Sequence, residues 1–387
     1  MRFLPIYAAI AFDLAAFGMA FTDIALRAKS YGAAPWLVGL ILSSYFLFQI
    51  VTSPRWGAVS DRIGRKPVAV ICTVLSALSM VVYALMPTLI GIVISRVLAG
   101  FAAANVSVIQ ASLADSTEGD ARASAMGKFS AAINVGLIAG FAGGGIIAEQ
   151  LGARSMGFVG ASLSAIAAAC LWFGMPSAPP KGKPEKKRDH FGLGLLREHP
   201  MLTRLFALAA ISWFSLACLE GTFAQLLQIN FKQGQTAFGL ILMFEMILGF
   251  ILQSIFFERI QRRFGKELTL RAGYVLMGIG LALTPFAPNI ALLICFGSLY
   301  AIGKGLADPS MNLLTSEATP EDRQGEMFGL LQSARNLGFL GGPSLGGYLF
   351  GISVAIPYVV AGVVSIAAAG LASKSQANLP KNEGSAS

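Results

Sequence analysis

Charge is scarce in this 387-residue chain: Asp, Glu, Lys and Arg make up only 13% of it, against about 25% in ordinary globular domains. With 55% hydrophobic residues, it carries more apolar surface than a water-facing fold can hide, and lipid is the natural recipient of the surplus. Cysteine is also rare. Cys72, Cys170, Cys218 and Cys295 all fall inside apolar runs and no CxxC occurs, which argues against a disulfide framework and a structural zinc site. The two histidines, His190 and His199, lie in a polar stretch, so none is available within an apolar segment to carry a proton or hold a metal. No metal ligand set, nucleophile–base pair or phosphate-binding P-loop is present, which leaves a membrane enzyme and ATP-driven transport without support. No cofactor is expected beyond an ion gradient, with protons as the expected ion.

What the chain has is apolar runs of membrane length. Twelve spans are predicted. The first half holds Leu4–Leu26, Trp36–Pro54, Val68–Leu85, Thr88–Leu113, Ala125–Ile147 and Met156–Phe173. The second holds Leu205–Leu227, Ala237–Phe257, Leu268–Pro285, Ile290–Leu314, Met327–Phe350 and Ile356–Leu371. The first span is long, contains Asp13 and lacks a cleavage site, so it is read as retained rather than as a signal peptide. The 43 glycines fit this picture, because close helix crossings in membranes favour small residues.

Basic residues crowd one set of loops: Arg55, Arg62, Arg65, Lys66, Arg122, Lys128, the run from Lys181 to Arg204, then Arg259, Arg262, Arg263, Lys266 and Arg271, and finally Lys374 and Lys381. The opposite set has only Arg27, Lys29, Arg154 and Lys232. This asymmetry predicts that both termini and the central loop are cytoplasmic in an inner-membrane protein. It also accounts for the net charge of +9 without nucleic acid. The Pro- and Lys-rich stretch from Ser177 to Pro200 reads as a linker. It separates residues 1–176 from 201–374, with a cytoplasmic tail at 375–387.

The halves repeat. An offset of 202 carries Asp115, Thr117, Asp120 and Gly127 onto Glu317, Thr319, Asp322 and Gly329. It also carries Asn134, Gly136, Gly140, Gly144 and Gly145 onto Asn336, Gly338, Gly342, Gly346 and Gly347. Two parallel repeats of six helices predict an all-α membrane protein of two pseudo-symmetric bundles with a site between them near the midplane.

Between the second and third spans runs Gly57-Ala58-Val59-Ser60-Asp61-Arg62-Ile63-Gly64-Arg65-Lys66-Pro67. This resembles the loop signature of major facilitator transporters, Gly-x-Leu-x-Asp-Arg-x-Gly-Arg-Arg/Lys, with Val59 in the leucine place. Gly57 is expected to allow close helix approach and Asp61 to cap a helix N-terminus. The resemblance implies a gate latch built on Gly57, Asp61, Arg62, Gly64, Arg65 and Lys66. The second half holds a worn copy, Arg262-Arg263-Phe264-Gly265-Lys266, without the aspartate in register. Arg96-Val97-Leu98-Ala99-Gly100 is similar to the family's fourth-span Arg-x-x-x-Gly. Gly136, Gly140 and Gly144 in the fifth span resemble its antiporter signature, with Phe141 in the proline place. The second-half copy, Gly338, Gly342, Pro343, Gly346 and Gly347, keeps the proline, and both rows are expected to pack helices closely. The nearest group is the bacterial drug/proton antiporters, including the tetracycline exporters, which share an early acid (Asp13), Gln49 and the Ala-Asp after span four.

A charge at the bilayer centre costs about 2.5–3.5 kcal/mol even on a lenient insertion scale. Asp13, Asp23, Arg96, Glu220, Glu245, Lys304, Asp308 and Arg335 nevertheless fall inside predicted spans. In the family fold, spans one, four, seven and ten line the cavity, so the resemblance brings Asp13, Arg96, Glu220, Lys304 and Asp308 to it. Lys304 and Asp308, four apart, share a helix face and read as a self-neutralising pair. Asp13 and Arg96 are expected to pair within the first half, and Asp23 is read as an interfacial residue. Asp13, Glu220, Glu245 and Asp308 are the candidates for proton coupling. Asp13, Arg96, Asn105, Glu220, Lys304, Asp308 and Arg335 are the candidates for lining a substrate cavity. The expected function is secondary active transport of a small solute by a monomer, through proton-coupled export of amphipathic or drug-like compounds. Two alternatives are kept: transport of a polar or anionic metabolite, and a non-transporting receptor on the same fold.

Overall fold

The computed structural model describes residues 3–176, 200–319 and 323–373. The predicted linker up to residue 199, both histidines, Asp322 of the repeat and the tail lie outside the described residues. Helix covers every one of the twelve predicted spans, for a simple reason: backbone N–H and C=O groups in hydrocarbon must find partners within their own segment. The first half comprises α1 (Leu4–Ser30), α2 (Pro35–Ile63), α3 (Arg65–Leu85), α4 (Leu89–Ala102), α5 (Asn105–Asp115), α6 (Gly119–Gln150) and α7 (Gly152–Gly174). The second comprises α8 (Pro200–Phe231), α9 (Gln235–Ile251), a π-helical turn (Leu252–Phe256) running into α10 (Phe257–Phe264), and α11 (Lys266–Leu283). It ends with α12 (Ile290–Ala318), α13 (Gln324–Ile352) and α14 (Ile356–Ser373). Among the described residues, ten helical stretches are long and apolar enough to cross a membrane, and Ile356–Ala372 is a shorter apolar helix.

The predicted fourth span is the one that breaks. Ala103 and Ala104 interrupt it, so Asn105 becomes the first residue of α5. Starts are marked by matching caps: the Thr88 hydroxyl accepts from the Gly91 amide at 3.1 Å, and the Asn289 Oδ1 from the Leu292 amide at 2.9 Å, each satisfying one of the orphan donors of a helix start.

Contacts divide the chain into two compact units. One is Met1–Lys186 with Glu220–Met246 and Pro343–Gly351; the other is Lys187–Leu219, Ile247–Gly342 and Ile352–Ser387. In the first unit α1 packs on α6 and α7, and α3 on α7 and α4. In the second α11 packs on α12 and α14. The glycine rows make these crossings tight. A Cβ added at Gly136 would fall on Ala11 backbone, and one at Gly140 on Ala15 backbone. In the second unit a Cβ at Gly338 would stand 2.9 Å from the Trp213 carbonyl carbon, and one at Gly342 would meet Ala217 Cβ at 2.5 Å. The offset that carries Gly136 onto Gly338 and Gly140 onto Gly342 also carries Ala11 onto Trp213 and Ala15 onto Ala217. The repeat seen in the sequence is therefore a repeat of contacts.

Gly57 departs from its expected role. Nothing lies within 4 Å of where its Cβ would be, so it serves no close approach. The conformationally demanding glycine of this loop is Gly64, at φ +101°, which reverses the chain between α2 and α3 in a region that side chains avoid. Gly265, at φ +80°, does the same between α10 and α11.

Candidate functional site

In the first unit the centre of interest is Asp13, 6% exposed on α1. The Ser164 hydroxyl on α7 donates to its Oδ1 at 2.8 Å. The Asn105 side-chain amide, brought in by the α4–α5 break, donates to its Oδ2. Asn105 Oδ1 in turn accepts from the Val106 amide at 2.7 Å, which fixes the orientation of the side chain. Three helices thus converge on one carboxyl through neutral donors. The expected Asp13–Arg96 pair does not form. Arg96 is 3% exposed, gives its Nη2 to Ser95 Oγ at 3.2 Å and lies 5.9 Å from the Tyr83 ring centroid. Its Nε makes no hydrogen bond among the described residues. The contacts that the side chain does make are an aromatic face and a hydroxyl rather than an acid.

Asp23 is the residue most underrated by the sequence. It is fully buried. Arg27 Nε donates to its Oδ2 at 2.5 Å, the Tyr83 hydroxyl to the same oxygen at 2.6 Å, and Gln235 Nε2 to its Oδ1 at 3.2 Å. Arg27 also stacks on Tyr83 at 5.3 Å. Nearby in the same unit, Glu149 accepts from the Thr236 amide at 2.8 Å, and Lys29 donates to Gln228 at 2.9 Å. Partners 60 and 212 residues away leave no local trace in a sequence.

Glu220 lies on α8 and Glu245 on α9, both within the first unit. In the second unit, the expected neutral pair forms: Lys304 Nζ lies 2.7 Å from Asp308 Oδ2, and the Ser212 hydroxyl donates to Asp308 Oδ1 at 2.9 Å. Lys304 also sits 4.1 Å from the Trp213 ring centroid, and the Arg335 guanidinium 5.3 Å from it. Arg335 Nη2 donates to Asn312 Oδ1 at 3.0 Å. Trp213 was not anticipated as a site residue, because the cations beside it come from α12 and α13 and not from its own helix.

The loop motif makes ion pairs, with residue contacts different from those expected. Asp61 does not cap α3, whose N-cap is Gly64 with no side-chain bond. It pairs with Arg65 at 2.6 Å, because four residues along the chain bring the two together across the turn. Arg65 also reaches Asp115 at 3.4 Å and Ser60 Oγ at 2.5 Å. Lys66 lies 5.9 Å from the Trp172 ring, and Arg62 is exposed. The worn copy proves intact where it matters. Lys266 pairs with Glu317, and Glu317 is the residue that the repeat matches to Asp115.

These features agree with the comparisons. Over 332 residues the chain is 31% identical to Multidrug resistance protein 1 of Bacillus subtilis (strain 168), with 84% of each chain covered. It is 28% identical over 314 residues to the class C Tetracycline resistance protein of Escherichia coli, covering 79% of this chain and 78% of that one. Among solved structures, the nucleoside transporter NupG superposes with a TM-score of 0.76 at 15% identity, over 98% of this chain and 100% of that one, a likeness of fold alone. The Major Facilitator Superfamily model matches residues 3–219 and 205–384, so the chain belongs to that superfamily and is a multi-pass membrane transporter rather than an enzyme.

Proposed function

We propose that the chain is a proton-coupled exporter of small amphipathic compounds, working by alternating access. In this reading residues 1–176 and 201–374 are the two moving halves, joined by the linker 177–200, with a tail at 375–387. Both termini lie in the cytoplasm, as the distribution of basic loops suggests, and the protein acts as a monomer in the inner membrane. The names of the relatives, multidrug and tetracycline resistance proteins, favour export of drug-like compounds.

The observation that carries the reading is the buried Asp13 carboxyl held by neutral donors on α5 and α7. A carboxyl bound to a cation loses its ion pair when it takes a proton. One held by an amide and a hydroxyl does not, since the Ser164 hydroxyl can turn to accept the new proton while Asn105 keeps donating to the other oxygen. Asp13 therefore gains and loses a whole charge while its contacts persist, which is what a coupling site inside a bundle requires. Glu220 and Glu245 serve as the second acidic station. Asp308, neutralised by Lys304, does not. The Asp61–Arg65–Asp115 and Lys266–Glu317 pairs act as the latches of one end state.

The test begins with a thermal-shift panel of drugs, sugars, lipids and organic anions at two pH values, followed by reconstitution with the compounds that bind. Substrate should drive proton flux in the wild type, and Asp13→Asn should abolish that flux while substrate binding remains. Undiminished flux in Asp13→Asn refutes the assignment. Wild-type transport indifferent to the pH gradient replaces coupled export with facilitated movement of a metabolite.

A further inference from the structure

We infer that the Trp213–Lys304–Arg335 cluster binds the anionic group of an aromatic or amphipathic organic acid, so that this chain prefers carboxylates over neutral or cationic compounds of the same shape. The inference rests on the transport reading and names its substrate class.

The charge balance of the cluster comes first. Lys304 brings a positive charge that Asp308 cancels at 2.7 Å, and the second oxygen of Asp308 is taken by Ser212. Arg335 has no carboxylate partner among the described residues. Its Nη2 donates instead to the neutral Asn312 oxygen. The cluster thus holds one cation in excess on membrane-spanning helices, a costly arrangement that is normally kept for a purpose.

Its hydrogen-bonding balance points the same way. The Trp213 Nε1–H and the Arg335 Nε–H are both buried without a hydrogen-bond partner among the described residues. Buried donors are nearly always satisfied. Here two donors without acceptors accompany an uncancelled positive charge. Indole N–H and guanidinium N–H groups can only donate, so the complementary chemistry is an acceptor, and a carboxylate suits a guanidinium best because two oxygens match its planar fork.

The aromatic part of the cluster excludes the opposite class. A tryptophan face in a drug transporter would ordinarily attract a ligand cation. Here Lys304 at 4.1 Å and Arg335 at 5.3 Å already sit by that indole, and a third positive charge would be repelled. Phe339, 5.1 Å from Trp213 between ring centroids, adds an apolar wall for the body of the ligand. The position of Trp213 is fixed from behind, since α8 and α13 touch backbone to backbone at Gly338. The cluster is thus held in place before ligand arrives, which lowers the ordering cost of binding.

Three probes of one shape separate the possibilities: 1-naphthoate, 1-naphthamide and 1-naphthylmethylammonium, titrated calorimetrically into the purified full chain in detergent. Naphthoate should bind at least about tenfold more tightly than the amide, the effect of one charge-assisted hydrogen bond, and the ammonium should bind weakest. Arg335→Gln should remove the preference, lowering affinity for naphthoate far more than affinity for the amide. Arg335→Lys should restore part of it, and it serves as the working variant should the glutamine form fail to fold. Trp213→Phe, which keeps a ring and loses the N–H, should lower naphthoate affinity by less. Equal affinity for the three probes, preference for the ammonium, no binding of naphthoate, or an intact preference in Arg335→Gln overturns the inference. Proton flux in liposomes separates this failure from failure of the transport reading. Carboxylate preference without proton coupling sinks only the coupling, and coupling without carboxylate preference sinks only the ligand class.

Discussion

The crossing of α1 with α7 and the crossing of α8 with α14 are matched by the repeat, yet they are closed by different chemistry. In the first, Asp13 on α1 meets Ser164 on α7 at 2.8 Å and draws in Asn105. In the second, Ser215, the residue that the 202 offset pairs with Asp13, meets Ser365 at 2.9 Å, and the place of Asn105 is taken by the buried Ala307. The reverse holds for the lone cation: Arg335 in the second half corresponds to Ile133 in the first. Packing two helices here needs only a pair of hydroxyls. The acid in one half and the guanidinium in the other are additions to a shared scaffold, and additions that cost free energy in a membrane point to function.

The strongest way to break the comparison is to move the acid. Ser215→Asp would bury a carboxyl opposite Ser365 with no amide to receive it, and should destabilise the protein by about 2.5–3.5 kcal/mol, read as a lowered midpoint of denaturant unfolding in detergent. The reciprocal change, Asp13→Ser, makes the first crossing resemble the second. It should leave the fold intact and, like Asp13→Asn, abolish proton-coupled flux. The scaffold itself should respond symmetrically: Gly136→Ala and Gly338→Ala each force a Cβ against backbone of the facing helix and should each cost about 1–3 kcal/mol, whereas Gly57→Ala, facing open space, should be silent in the same unfolding assay. The smallest effect is expected at the latches. Arg65→Gln removes pairs to Asp61 and Asp115 that are partly open to solvent and should cost about 0–1 kcal/mol of stability, with the change visible as a shifted cysteine-labelling pattern at the α2–α3 turn.

The periodic and compositional parts of this fold were legible because lipid imposes them. Apolar runs had to become helices, and the repeat offset that aligned Gly136 with Gly338 proved to align their contacts as well. The Lys304–Asp308 pair was readable from its four-residue spacing. Side-chain partnerships between helices were not. Asp13 turned to Asn105 and Ser164 instead of Arg96, and nothing local to Ala103 and Ala104 announces the break that makes Asn105 the first residue of α5. The bonds of Asp23 to Tyr83 and Gln235 were hidden because these partners come from distant helices. Asp61 was assigned a capping role that Gly64 removes, since a residue at φ +101° turns the chain before Asp61 can reach the first amides of α3. The opposite error occurred at the second loop, where the absence of an aspartate concealed a conserved geometry carried by Lys266 and Glu317.

The most direct measurement is infrared difference spectroscopy of the purified protein titrated with acid, comparing wild type with Asp13→Asn and with Ser215→Ala. A coupling carboxyl at the first crossing predicts a protonated-carboxyl band that appears in wild type and in Ser215→Ala, shifts on substrate addition, and is missing from Asp13→Asn. A band that survives unchanged in Asp13→Asn would show that the titrating acid lies elsewhere and would contradict the account.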